Sequence, residues 1–337
     1  AHRQLNEKTI RVVFMGSATI MAEAMKRSMI VLSGPTAVGK TKLSIALAKA
    51  VGGEIVSADS VQVYRHMDIG SAKITKEEMN GVPHHMIDIL EPWEEFSVAV
   101  FQERCKECLS GIYERGHVPI VTGGTGFYVQ ALLRDVDFSD FRPEYRASLE
   151  ALAEEKGTAY LHKMLAEVDP ASGLAIHPNN GKRIIRALEY FYLTGEPISV
   201  HNERERERPP AYDVCYFVLN DLRERLYRRI DRRVDEMLEK GLVEEVEGLR
   251  RMGCHKGMVS MQGLGYKEIL AYLEGETTLE EAVEILKRDT RHFAKRQLTW
   301  FRREREVIWV NKNEFQYDED KILQYMLAYV RRMLHIQ

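Results

Sequence analysis

The run Gly34-Pro-Thr-Ala-Val-Gly-Lys-Thr41 fits the pattern G-x-x-x-x-G-K-[ST] and follows the apolar segment Met29-Ile-Val-Leu32. Behind it, Thr41-Lys-Leu-Ser-Ile-Ala-Leu-Ala-Lys-Ala50 has the pattern of an amphipathic helix. Strand, glycine loop and helix start in that order predict a parallel α/β sheet with a phosphate-binding loop. Glycines let successive N–H groups turn inward on an anion, and the helix N-terminus adds the positive end of its dipole. Lys40 is then expected to reach terminal phosphate oxygens, and the Thr41 hydroxyl to hold Mg²⁺. The loop does not specify which phosphate compound it holds.

The chain has 337 residues, long enough for a sizeable core and a second lobe, and its net charge is −3. No global basic excess announces nucleic acid, so any such surface has to come from local clustering. Cys105 and Cys108 form C-x-x-C inside a helical pattern, with only Cys215 and Cys254 besides. Without a second pair they read as small residues one helical turn apart in a reduced protein rather than as a zinc site. Residues 1–28 look like an extension: an apolar run before Ala22-Glu-Ala24 resembles a secretory signal, although a natural start at Met25 fits a phosphate-handling protein better. No run approaches the ~18 apolar residues of a membrane helix, so a cytosolic protein with no membrane partner is expected.

Gly53-Glu-Ile-Val-Ser-Ala-Asp-Ser60 reads as a strand ending in an acid. In open α/β sheets ligands sit outside the carboxyl ends of the strands, which makes Asp59 a candidate for chemistry; a turn-capping acid is the plainer alternative. Val82–Leu90 is a third strand-like run. Its adjacent His84 and His85 point to opposite faces and read as structural or substrate-contacting rather than as metal ligands. Ser97 should cap a helix that runs to Arg115 and is ended by Gly116. Val118–Thr122 is the fourth strand and runs into Gly123-Gly-Thr-Gly-Phe-Tyr128, a second glycine-rich corner that either brings Thr125 to a ligand or packs helix on sheet. Phosphate-hydrolysing relatives of such loops carry a magnesium-binding acid at a late strand end; here that position holds Thr122 and glycines, leaving Asp59 as the available carboxylate.

From residue 136 to 210 helical patterns replace strands, giving an insertion between 29–135 and 211–337, which together form the core. Its helix from Asn179 to Thr194 carries Lys182, Arg183 and Arg186 at helical spacing, compatible with solvated surface or with phosphate-backbone contact. Glu203–Pro210, alternating charge into a diproline, reads as an exposed return connection. Asp213–Leu219 is a buried-type strand. The helix from Asp221 bears six arginines, and Leu286–Arg305 mixes basic residues with Phe293, Trp300 and Phe301; both suggest a local polyanion surface, with core packing the alternative for the aromatics.

Taken together, the loop Gly34–Thr41, Ser57–Tyr64, Met67–Lys73, Gly123–Tyr128, His177–Asn180 with Arg183–Glu189, Gly263–Glu268 and Ala294–Trp300 resemble the bacterial tRNA dimethylallyltransferase (isopentenyltransferase) family, in order from Met29 to Trp309. Ser71 stands where the family usually has Thr. The resemblance implies transfer of a dimethylallyl group from dimethylallyl diphosphate to the adenosine just 3′ of the anticodon, in tRNAs reading codons that begin with U. It implies a P-loop core and a helical insertion gripping the anticodon stem; Mg²⁺ is the expected cofactor, and a monomer is expected although the sequence does not fix the oligomeric state.

In that scheme Gly34, Pro35, Thr36, Ala37, Val38, Gly39, Lys40 and Thr41 cradle the diphosphate. Thr36 and Lys40 donate to it, Thr41 holds Mg²⁺, and Arg233 neutralises developing charge. Asp59 takes a proton from the adenine amine. By the same resemblance the tRNA-facing positions are Asp59, Ser60, Val61 and Gln62, then Thr125, then Lys182, Arg183, Ile184, Ile185 and Arg186. Gln262, Gly263, Leu264, Gly265, Tyr266 and Lys267 complete the set. Two other readings use the same loop: a P-loop kinase of a small metabolite, and a non-catalytic RNA-binding switch. Neither explains Asp59-Ser60, the second glycine corner and the insertion together.

Overall fold

The computed structural model describes residues 27–136, 138 and 143–336. The signal-like stretch and Met25 lie outside them, while Ser28 already belongs to the first strand. The chain divides into two compact units, one made of the chain up to Leu132 and from Tyr212 onward, the other of Leu133–Ala211.

The first unit is built on β1 (Ser28–Ser33), β2 (Gly53–Ser57), β3 (His84–His85), β4 (Val118–Gly123), β5 (Asp213–Asn220) and β6 (Val307–Asn311). They form one sheet in the order β3-β2-β4-β1-β5-β6, with every pairing parallel. The expected P-loop NTPase-like parallel sheet flanked by helices is therefore present, and its centre shows why the sequence there is uniformly apolar. Ile30 and Leu32 of β1 join a core with Leu43 and Leu47 of α1 (Lys40–Val51) and with Met326 and Val330 of the C-terminal helix Glu319–Leu334. Met29 and Val31, equally buried, point to the opposite face. Against the sheet lies α2 (Val98–Glu114), burying Phe101, Cys105, Leu109 and Ile112; Ser97 Oγ accepts from the Val100 N–H at its start, the cap expected of it. No helix among the described residues is long and apolar enough to cross a membrane.

Of the run Val82–Leu90, His84–His85 pairs along the edge of β2, and Leu90 makes an isolated parallel bridge with Tyr64. His85 Nε2 and His117 Nδ1 each lie 2.6 Å from the buried Glu54 carboxylate, which Arg115 also grips through two bonds of 2.8 Å. Arg115 and then the two histidines hold Glu54 down at about 2 against the cost of burial. His84 is turned onto the Val82 carbonyl. Both histidines are thus structural.

After β4 come α3 (Gly126–Leu133) and the second unit, which contains α4 (Pro143–Lys156), α5 (Thr158–Val168), α6 (Pro170–Ala175), α7 (Gly181–Thr194) and α8 (Ile198–Glu207). Its core gathers Leu149, Leu161, Leu165, Ile184, Ile185 and Leu188. Asn180 caps α7 and Gly195, at φ 73°, ends it. The charged run after Glu203, expected as a connection, is instead the exposed end of α8. Its helix stops because Arg208, preceding a proline, is driven to ψ 128°. The first unit resumes with β5, α9 (Arg223–Glu239), α10 (Leu242–Arg251), α11 (Tyr266–Leu273) and α12 (Leu279–Phe301), the last begun by a Thr278/Glu281 capping box, and the C-terminal helix Glu319–Leu334 becomes α13.

Candidate active site

All the strands but β3 end at one edge of the sheet in a candidate site segment or next to one: β1 before Gly34, β2 before Asp59, β4 in the glycine corner, β5 before Asp221, β6 before Lys312. This is the carboxyl edge, where α/β sheets bind ligands. Gly34 has φ 149°, and a Cβ there would lie 2.5 Å from the Leu219 carbonyl oxygen, so only glycine lets the loop leave β1 beside β5. Gly39, at φ 101°, opens α1 without a side-chain cap, and the first turn of α1 has no acid. The helix N-terminus therefore keeps its donors and its dipole for an anion.

Lys40 Nζ donates to the carbonyls of Gly34 and Pro35, 2.8 Å each, and so bends over the loop. Burial and then the charge of Arg233 bring its pKa down to about 7, while Asp59 works in the other direction. Arg233 is itself lowered by burial and by Arg229. Two further cations engage the outside of the loop: Arg229 Nε donates to the Ala37 carbonyl at 2.8 Å, and Lys312 Nζ to that of Val38 at 3.3 Å. Lys312 is lowered by burial and then by Arg229. The sequence reading named Arg233, whose charge acts on Lys40, but not these two. The four-residue spacing of Arg229 and Arg233 puts them on one face of α9, a usable signal; Lys312 offered only its place after a strand.

Asp59 serves the turn after β2: Oδ1 accepts the N–H groups of Val61 (2.8 Å) and Gln62 (3.1 Å). The turn-capping reading is met, while Oδ2 has no hydrogen-bond partner among the described residues and the charge is felt at Lys40. Ser60 and Val61 are half-buried. The Gln62 amide is committed inside the loop, donating to the Ser71 carbonyl at 3.1 Å. That loop is tied down by Glu245 of α10, whose carboxylate accepts the N–H groups of Asp68, Ile69 and Gly70 and the Tyr266 hydroxyl. Tyr266 is fully buried and Gly265 is buried, so these two expected tRNA-facing positions are structural; Gln262 is exposed, and Gly263, Leu264 and Lys267 are half-buried. In the second unit Lys182 and Arg183 are exposed and Arg186 pairs with Glu189 at 3.3 Å. Ile184 and Ile185 face that unit's core, which removes their side chains from any RNA surface.

At the glycine corner Thr125 is half-buried. A Cβ on Gly124 would collide with the Gln297 amide and one on Gly126 with the Trp300 ring, so this corner packs helix α12 closely. Phe301 is core. The basic helices are more self-paired than the sequence suggested: Asp231 takes Arg291, Asp235 takes Lys287, Glu236 takes Arg232, and Arg225 lies near Asp221 and over the Tyr317 ring. Among the described residues no three His, Cys, Asp or Glu side chains are grouped to hold a metal ion. An exposed Thr41 hydroxyl beside a phosphate loop still fits Mg²⁺, which keeps waters and takes substrate phosphate oxygens rather than an all-protein cage.

Residues 62–304 match the family model described as IPP transferase, and residues 27–89 one described as isopentenyl transferase. A tRNA dimethylallyltransferase from Lachnoclostridium phytofermentans is 60% identical over 292 residues, covering 86% of this chain and 93% of that protein. One from Acetivibrio thermocellus is 53% identical over 305 residues, covering 89% and 97%. Among solved structures, the full-length tRNA isopentenylpyrophosphate transferase of Bacillus halodurans is 44% identical with a TM-score of 0.69, covering 92% of this chain and 99% of that one. A eukaryotic dimethylallyltransferase acting on tRNA, at 29% identity, reaches a TM-score of 0.77 over 91% and 79%. With a phosphate loop, a following acid and a glycine corner on one sheet edge, and relatives this similar over nearly their whole length, the chain belongs to the IPP transferase family of tRNA dimethylallyltransferases.

Proposed function

We propose that this chain transfers a dimethylallyl group from dimethylallyl diphosphate to the N6 amine of the adenosine just 3′ of the anticodon, in tRNAs reading codons that begin with U, with release of diphosphate. The observation that carries this reading is the pairing of a cation-dense phosphate loop with a carboxylate, Asp59, that keeps one oxygen uncommitted at the same sheet edge. Relatives bearing the name tRNA dimethylallyltransferase support tRNA as acceptor.

In this mechanism the adenine nitrogen attacks the allylic carbon while the bond from that carbon to the diphosphate oxygen breaks. The nitrogen gains a positive charge in the process. Asp59 Oδ2 takes its proton, and the diphosphate departs with the bonding pair. The inward N–H groups of the loop, the Thr36 hydroxyl and Lys40 stabilise the leaving oxygens, and Arg233 offsets their charge. Thr41 would hold Mg²⁺, which supplies further neutralisation of the diphosphate when bound. The adenine must leave its stack, at a cost of a few kcal/mol that tRNA contacts offset. One copy supplies every group named, so a monomer suffices, and the reaction belongs in the cytoplasm where tRNA and donor meet.

A kinase reading is disfavoured by the end of β4, which holds Thr122 and glycines where a metal-binding acid would stand. Incubation with dimethylallyl diphosphate, Mg²⁺ and unmodified tRNA should add one prenyl mass to adenosine by mass spectrometry. ATP turnover without tRNA, and RNA recovered unaltered, would refute the proposal.

A further inference from the structure

Gln297 of α12 connects two parts of the site. Its Oε1 accepts the Thr36 N–H of the phosphate loop at 2.9 Å, and its Nε2 donates to the Gly124 carbonyl of the glycine corner at 3.0 Å. The residue is 6% exposed, so neither bond is readily exchanged for one with water. The Gly124 backbone approaches so closely that a Cβ there would overlap the amide. One turn along the helix, Trp300 packs in the same way on Gly126 and edge-on against Phe127. Helix α12 thus presents a rigid face to the corner, and Gln297 is the group on that face that also reaches the phosphate loop.

A primary amide suits this place because, without carrying charge, it accepts through one atom and donates through another about 2.3 Å away in the same plane. It also divides the work of Thr36. With the Thr36 N–H held by Gln297, the hydroxyl is the donor this residue has left for a ligand. We infer that Gln297 is a positioning residue, bridging the diphosphate loop to the corner that carries Thr125 and so fixing the donor's reacting carbon relative to the acceptor base. This rests on the transferase reading above. Misplacement of reacting groups by about 1 Å costs on the order of 100-fold in rate, so a bridge of this kind acts on turnover more than on folding.

The test compares Gln297→Glu and Gln297→Ala. Glutamate preserves the acceptor for the Thr36 N–H but sets a carboxylate oxygen against the Gly124 carbonyl, releasing the corner while keeping the loop. Alanine releases both. Inorganic diphosphate affinity, thermal midpoint, and kcat and KM for dimethylallyl diphosphate with tRNA are measured for each. Gln297→Glu should bind diphosphate within about threefold of the unaltered chain yet lose tenfold or more in kcat, whereas Gln297→Ala should lose in both. Unchanged kcat in a folded Gln297→Glu protein overturns the inference, as does a loss of kcat and affinity that only tracks the thermal midpoint. If the unaltered chain forms no prenyl adduct, the transferase reading fails by itself. The bridge is then judged on diphosphate alone: weaker binding by Gln297→Ala than by Gln297→Glu supports it, and equal binding overturns it.

Discussion

Asp59 caps a turn through Oδ1 and is proposed to take a proton through Oδ2, and a variant can separate the two. Asparagine keeps an acceptor for the Val61 and Gln62 N–H groups, so the turn after β2 survives, but it is not a base. Asp59→Asn should lower kcat by about 10²- to 10⁴-fold with tRNA affinity unchanged, read by single-turnover prenylation beside filter binding. Normal turnover would remove Asp59 from the mechanism. Lys40 gives a pH signature at the same scale. Its pKa near 7 arises from burial and the Arg233 charge. A bound diphosphate favours the ammonium and raises that value. The complex then holds a proton that the free protein lacks above pH 7, so donor affinity should be full below pH 7 and weaken above it. The slope is at most about tenfold per unit. Calorimetry at pH 8 in two buffers of different ionisation enthalpy should show proton uptake beyond the diphosphate's own; none, or release, would contradict the assignment.

At the scale of elements, the phosphate loop is shaped from outside as well as by its glycines. Arg229 on α9 and Lys312 after β6 take the Ala37 and Val38 carbonyls, which anchors the loop at two successive peptide units. Lys312→Met keeps the apolar stem and leaves the Val38 carbonyl unpaired. We expect the KM for dimethylallyl diphosphate to rise by about fivefold to thirtyfold with a smaller change in kcat. An unchanged KM would mean that the glycines alone set the loop. Such side chains mark how far the sequence could be read. Strands buried on both faces, β1 and β5, were legible as continuous apolar runs, and α2 by its Ser97 cap and ending Gly116. What escaped depends on partners distant in the chain. The Arg229 contact is made 192 residues away, and the Gln297 contact 261. The arginines of α9 looked like an open basic surface because nothing local shows that Asp231 and Asp235 of the same helix draw in Arg291 and Lys287 of α12. Likewise Ile184 and Ile185 fell inside a motif, whereas helical periodicity puts them in the core beside Leu188.

Over the whole molecule, the proposed chemistry and the proposed RNA contacts of α7 fall in different compact units, which makes them separable by experiment. The phosphate loop, Asp59 and the glycine corner all belong to the first unit, while Lys182 and Arg183 lie exposed on α7 of the second. Neither of these two has a salt bridge among the described residues, in contrast to Arg186, which is paired with the buried Glu189. Lys182→Ala combined with Arg183→Ala removes two cations from the first turn of a helix. The helix start should hold because Asn180 still caps it through the Arg183 backbone N–H, which alanine retains. If these side chains meet tRNA phosphates, the slope of log affinity against log salt should become shallower by roughly 0.7 to 0.9 for each phosphate no longer neutralised. The KM for dimethylallyl diphosphate should stay the same, because the donor site uses none of α7. Ile184→Ala is the contrasting variant: it opens a cavity in the second unit at a cost of about 2–5 kcal/mol and should weaken tRNA binding through loss of structure, visible as a lower thermal midpoint. A double alanine variant with an unaltered salt slope would show that the exposed basic turn of α7 does not touch the RNA backbone, and the search for the grip would move to Gln262 and Lys267 of the first unit.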